Sequence, residues 1–194
     1  MLQAMIGNFG AKHHLSKMDK VQHFKKIHEE YDSLFKDGLK KGKLPMRTTK
    51  HGFWGTASTF SVFEFFEKIN LGKYNRFLDL GSGDGRVVLI ASLFTDAVGV
   101  EGDEELVELS HEVRRKLDLN ADFHHGDYMK HDFSEYDIIF IYPDKGFSEE
   151  FEEKLRKEFK GDLFVYNQIY VPYGLKKGKT HHIDQLPIIH YEMQ

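Results

Sequence analysis

Three glycines at alternate positions, Gly81, Gly83 and Gly85, follow directly on the apolar run Phe77-Leu78-Asp79-Leu80. An apolar strand, a glycine-spaced turn and a helix make a unit that fixes fold class. Glycine permits positive φ there and lets a ligand approach the backbone closely. In an open α/β sheet such a turn lies at the carboxyl end of a strand, where ligands bind. A dinucleotide site would place a third glycine where Arg86 stands; here that glycine comes one residue early, at Gly85. Asp79 and Asp84 also make the loop acidic. Carboxylates oppose a pyrophosphate and suit an ammonium or a sulfonium. No Gly-Lys-Ser/Thr follows, which excludes a P-loop.

The chain around this turn alternates strand and helix. Strands are expected at Arg76–Leu80, Ala97–Val100, Ala121–His125, Asp137–Tyr142 and Asp162–Tyr166, with two more within Thr180–Met193 turning near Gln185-Leu186-Pro187. Helices are expected at Val87–Phe94, at Glu104–Leu117, and where Phe147, Phe151, Leu155 and Phe159 repeat every four residues. The alternation implies a mostly parallel sheet. Upstream, Val21, Phe24, Ile27, Tyr31, Leu34 and Phe35 recur at helical spacing; Gly38, Gly42 and Pro45 break the pattern, and 37–50 reads as a lysine-rich linker. A further helix is expected from Ser58, with Phe60, Phe63, Phe66 and Ile69 on one face and Gly72 past its end. This divides the chain into a helical, basic extension over 1–50 and a main domain over 51–194.

The net charge of −4 conceals an asymmetry: residues 1–50 carry 11 Lys/Arg against 5 Asp/Glu, and the remainder is correspondingly acidic. A basic arm either meets an acidic partner or is a solvated helix face. With 0 cysteines the chain has no disulfide and no thiolate nucleophile or ligand. No run reaches membrane-spanning length, so a cytoplasmic enzyme with no membrane partner is expected. The pairs His13-His14, His124-His125 and His181-His182 are adjacent, so their side chains diverge on regular structure, and no metal site is expected.

Two more strand ends complete a pattern. The second ends in Val98-Gly99-Val100-Glu101, where an acid can accept hydrogen bonds from a ribose diol. The third is followed by Gly126-Asp127-Tyr128, where a carboxylate can accept from an adenine amine and the neighbouring backbone can pair with the ring. The segments Asp79-Leu80-Gly81-Ser82-Gly83-Asp84-Gly85, Glu101 and Gly126-Asp127 resemble the motifs of class I, seven-stranded S-adenosylmethionine-dependent methyltransferases. The resemblance spans about residues 54–193. It implies a three-layer, Rossmann-like α/β fold with a mostly parallel sheet of about seven strands, preceded here by N-terminal helices. It also implies S-adenosylmethionine as cofactor, its methionine end in the glycine loop, its ribose on Glu101 and its adenine at Asp127. The cofactor-binding set is then Asp79, Gly81, Ser82, Gly83, Asp84, Gly85, Glu101, Gly126, Asp127 and Tyr128, with Trp54 beside it.

The acceptor side is read from Ile141-Tyr142-Pro143-Asp144. Relatives that methylate base amines carry Asn/Asp-Pro-Pro-Tyr/Phe there, and this chain lacks both the leading amide or acid and the second proline. With the Asp-Leu-Gly-Ser-Gly-Asp-Gly-Arg loop and the Lys160-Gly161 turn, it is more similar to small protein-lysine methyltransferases. That similarity implies an amine acceptor, a protein lysine first and a tRNA or rRNA site as the alternative; a non-catalytic cofactor-binding scaffold is the third reading. In-line methyl transfer needs alignment and exclusion of water more than acid or base chemistry. Tyr142 and Pro143 are the candidate catalytic residues, Tyr142 to hydrogen-bond the amine. Trp54, Tyr142, Phe147 and Tyr170 are the aromatic candidates for an acceptor channel. His51–Thr56 is either a lid over the methionine end or a linker packed on the sheet.

Overall fold

A computed structural model describes residues 15–50, 52–167, 169–183 and 186–193. His13-His14, His51 of the candidate lid and the turn at 184–185 lie outside the described residues. Seven strands form one sheet: β3 (Arg76–Leu80), β4 (Asp96–Glu101), β5 (Asp122–His125), β6 (Ile138–Ile141), β7 (Asp162–Tyr166), β8 (Lys176–Ile183) and β9 (Leu186–Glu192). Their order is β5-β4-β3-β6-β7-β9-β8. The pairs among β3 to β7 are parallel, whereas β9 runs antiparallel to both neighbours. Lysines 176, 177 and 179 populate the outer strand β8, where charge discourages edge pairing.

The period of two along β3 sorts its side chains between two cores. Phe77 joins Ile138, Phe140, Phe164 and Ile188 on one face; Leu78 and Leu80 join Val98, Val100, Ile139 and Ile141 on the other. The first face is covered by α1 (Lys17–Lys40), α2 (Thr59–Lys68), α3 (Arg86–Ala91) and α4 (Glu104–Leu117). The second is covered by α5 (Glu149–Glu158), whose stripe Phe151 and Leu155 is buried together with the flanking Phe147 and Phe159. The result is the three-layer α/β arrangement expected from the strand–helix alternation.

Local chemistry sets most boundaries. Ser16, Ser58, Asp103 and Ser148 each accept a backbone N–H two or three positions into the helix they precede. Gly38 does not stop α1. It lies inside the last turn, and the chain leaves the helix only at Lys41-Gly42, where Gly42 takes φ 71°. The 37–50 segment is not a linker throughout, because Met46–Thr49 (β1) pairs antiparallel with Gly52–Gly55 (β2). The 50/51 boundary falls in the turn between those strands. On α1 only Phe24, Ile27 and Tyr31 of the expected stripe are buried, while Val21 and Phe35 are exposed. On α2 Phe60 is exposed and Phe65 replaces it in the core, because α2 turns its Val62-Phe65-Phe66 side to the sheet. Asn70, at φ 52°, takes the left-handed position after α2 that Gly72 was expected to mark. Among the described residues, no helix is long and apolar enough to cross a membrane.

Candidate functional site: the crevice at the carboxyl edge

The sheet reverses its winding order at β3, with β4 and β5 on one side and β6 and β7 on the other. A crevice opens at such a switch point, and the carboxyl ends of β3, β4, β5 and β6 line it. The glycine turn begins with Gly81 and Ser82 N–H donating to the Val100 carbonyl at 2.9 and 3.1 Å. Gly83, at φ 56°, then directs its N–H to Glu101 Oε2 at 2.8 Å. The other oxygen of Glu101 accepts the Asp103 N–H at 2.8 Å, and its carbonyl accepts the Gly126 N–H at 2.8 Å. Glu101 therefore fastens the turns after β3, β4 and β5 into one rim. Each of its carboxylate oxygens keeps a lone pair for a further donor.

Asp79, Ser82, Gly83, Glu101, Gly126 and Asp127 come together on this rim. Asp79 is buried, and its side chain has no hydrogen-bond partner among the described residues. Burial, with Glu101 and Asp84 nearby, holds its carboxyl well above the ordinary carboxylate range. Ser82 Oγ is buried without a partner among the described residues. A Cβ at Gly81 or Gly126 would meet nothing within 4 Å, so both face open space. A buried acid without a hydrogen-bond partner, beside an open backbone cradle, fits the ammonium and sulfonium end of S-adenosylmethionine, since a cation there favours its ionised form. Asp127 caps the short turn after β5, accepting Met129 N–H at 2.9 Å through Oδ1. The Tyr128 ring packs on Phe151 at 5.4 Å, so Tyr128 offers the crevice its backbone rather than its ring.

Asp84 is placed differently. Its carboxylate is forked by the Arg86 guanidinium, with Nη2 at 2.6 Å from Oδ2 and Nε at 3.0 Å from Oδ1. Arg86 lies over the Tyr31 ring at 4.6 Å, and the Tyr31 hydroxyl donates to the Asp84 carbonyl at 2.6 Å. Asp84 thus braces the glycine turn from α1's side instead of presenting free charge to the crevice. Tyr31 and Arg86 escaped the sequence reading; the one signal was Arg86 standing where a dinucleotide loop has glycine.

On the acceptor side, Tyr142 is 40% exposed, its ring 4.8 Å from that of Tyr166. Pro143 is buried, and its carbonyl accepts from Asn167 Nδ2 at 3.1 Å, joining the segments after β6 and β7. Tyr170 is exposed near them in sequence, held by its N–H to Asn167 Oδ1 at 3.1 Å. Phe147 does not line a channel: it is buried and stacked on Phe151 at 5.2 Å, drawn into the core by α5's stripe. Trp54 lies against the glycine turn, where a Cβ on Gly83 would stand 2.5 Å from its Nε1. Among the described residues no group of three or more His, Asp or Glu side chains is placed to hold a metal.

Residues 79–169 match a family model described as the ANTKMT methyltransferase domain. No curated protein matches the chain. Among solved structures, an RNA methyltransferase from Salinibacter ruber in complex with S-adenosyl-L-homocysteine superposes with TM-score 0.62 at 20% identity, covering 71% of this chain and 93% of that one. A SAM-dependent methyltransferase from Aquifex aeolicus superposes with TM-score 0.56 at 16% identity, covering 69% and 89%. At these identities the two structures speak for the fold.

Proposed function

We propose that the chain is a class I S-adenosylmethionine-dependent methyltransferase and that it methylates the side-chain amine of a protein lysine. The observation that carries this reading is the match of residues 79–169 to the ANTKMT methyltransferase domain, which points to a lysine acceptor. The segment after β6 supports it, since Tyr142-Pro143-Asp144 lacks the Asn/Asp-Pro-Pro-Tyr/Phe pattern of base-amine transfer. The acidic balance of residues 51–194 also disfavours a polyanionic acceptor.

When bound, the cofactor supplies a methyl group carried on a sulfonium. Asp79 and the turn Gly81–Gly85 hold its ammonium end, Glu101 its ribose and Asp127 its adenine amine. The acceptor enters past Tyr142, whose ring gives an aromatic wall to a cationic side chain. A lysine reacts only as free amine, which desolvation between Tyr142 and Pro143 favours. The Tyr142 hydroxyl orients that amine, and well-aligned reactants gain on the order of 7–11 kcal/mol at best.

The test is transfer of labelled methyl from the cofactor into fractionated extract with the purified full chain. Label is expected in protein, resistant to ribonuclease, and recovered by mass spectrometry as methylated lysine. Label confined to ribonuclease-sensitive material would overturn the lysine assignment in favour of RNA. Absence of all label, with cofactor still bound, would leave a cofactor-binding scaffold.

A further inference from the structure

The β1–β2 hairpin has strands of only four residues each, and Met46 and Phe53 are exposed upon it. So small a hairpin has no core of its own to fix its position. Polar anchors at its two ends hold it instead. At one end the Phe53 N–H donates to Asp144 Oδ2 at 2.6 Å, a bond that crosses 91 residues of sequence. Gly52 is pressed so closely on the same carboxylate that a Cβ there would overlap Asp144 Oδ2. At the other end Arg47 forks between Asp103 Oδ1 at 3.0 Å and Glu105 Oε2 at 2.9 Å. Between the anchors, Trp54 rests on Gly83.

The anchors are not equal. Glu105 is 79% exposed, and an ion pair in that setting contributes little. A backbone hydrogen bond to an ionised carboxylate is stronger, and the glycine contact gives it a fixed geometry. Asp144 also follows Tyr142-Pro143 directly, while Asp103 is bonded to Glu101 on the ribose side. The hairpin therefore spans from the cofactor side of the crevice to the acceptor side.

We propose that Asp144 is a positioning residue for methyl transfer: its carboxylate fixes the hairpin across the mouth of the crevice and keeps Trp54 seated on the glycine turn. Cofactor entry and product exit then require the Phe53–Asp144 bond to open, and closure excludes water from the cofactor's reactive end. The inference needs cofactor binding alone and is indifferent to the acceptor.

Trp54 is the chain's single tryptophan, so its fluorescence reads hairpin position directly. In the full chain, S-adenosylhomocysteine is expected to shift Trp54 emission and protect it from iodide. In Asp144→Ala, the ligand-free protein is expected to show red-shifted, more quenchable emission. Its dissociation constant for S-adenosylhomocysteine rises about tenfold, or ~1.4 kcal/mol. Asp144→Asn keeps an acceptor for the Phe53 N–H and is expected to recover affinity to within about threefold. Gly52→Ala leaves the carboxylate intact but forces the backbone away, and should copy Asp144→Ala, giving the same reading if that variant fails to fold. Wild-type quenching and affinity in both Asp144→Ala and Gly52→Ala would overturn the proposal. So would an Asp144→Asn as impaired as the alanine, since charge, not hairpin anchoring, would then be the requirement.

Discussion

Asp79 is the site's most consequential titratable group, because the residue is 4% exposed and its carboxyl holds no hydrogen bond among the described residues. Burial first, and then Glu101 and Asp84, raise its pKa. An acid whose pKa is higher folded than unfolded stabilises the fold fully below the unfolded value, near 4, and that contribution is lost as pH rises through the folded value. At neutral pH the ligand-free protein therefore carries the cost of this raised pKa, which a cationic cofactor relieves. Asp79→Asn is expected to raise the ligand-free Tm at pH 7, by roughly 2–4 °C for each kcal/mol relieved. The gain should vanish at about pH 3 and below, where the wild-type side chain is protonated in both states. The same variant should weaken S-adenosylhomocysteine at least tenfold by calorimetry, and unchanged affinity would remove Asp79 from the site. Sequence alone placed Asp79, Glu101 and Asp127 on one rim, because a parallel sheet gathers its strand ends at one edge. It put Asp84 in the cofactor-binding set, because the Arg86 fork and the Tyr31 bond that engage Asp84 arise only when α1 docks on the turn.

At the level of elements, α1 is where periodicity and glycine content gave opposite signals. A glycine costs about 1 kcal/mol in a helix interior, and tertiary burial of Phe24, Ile27 and Tyr31 holds α1 to its last turn across Gly38. The β1–β2 hairpin was illegible for a related reason. Met-Arg-Thr-Thr and Gly-Phe-Trp-Gly show no apolar alternation, and anchors distant in sequence hold them in place. The strands β3 to β7 and α4, by contrast, followed their apolar patterns to within a residue or two, whereas β8 starts at Lys176, four residues before the expected Thr180, because its lysine-rich first half pairs with β9 without an apolar pattern of its own. Since α1 carries Tyr31 under the glycine turn, its packing should be felt in the site. Ile27→Ala removes a fully buried side chain and is expected to cost about 2–4 kcal/mol in denaturant unfolding. Tyr31→Phe removes only the bond to the Asp84 carbonyl and should cost about 1 kcal/mol. If α1 braces the turn, Tyr31→Phe also weakens S-adenosylhomocysteine severalfold. An effect on stability with none on affinity would make α1 a cover for the core alone.

The whole molecule joins these parts through one sheet shared by two helical layers. The glycine turn is packed on the first layer, where Gly85 abuts Ser110 of α4 and Phe123 of β5, and the strand behind it feeds the core on each face. The antiparallel entry of β9 beside β7 ties the far edge in, with Asp162 taking the Tyr74 hydroxyl on one oxygen and pairing with His190 at 2.8 Å on the other. No structural layer is left to unfold alone, so ligand binding at the crevice should lift the entire transition. A ligand that binds only the folded state stabilises it by about 2.7 kcal/mol at a concentration one hundredfold above its dissociation constant. For a domain of 194 residues that corresponds to a rise of roughly 5–10 °C in Tm, followed by scanning calorimetry as a single peak. A split peak, in which only a minor part moves with S-adenosylhomocysteine, would mean that the site belongs to a subdomain loosely attached to the rest. That outcome would contradict the bracing of the glycine turn by α1 and α4, whereas a single peak displaced as a whole is what those contacts require.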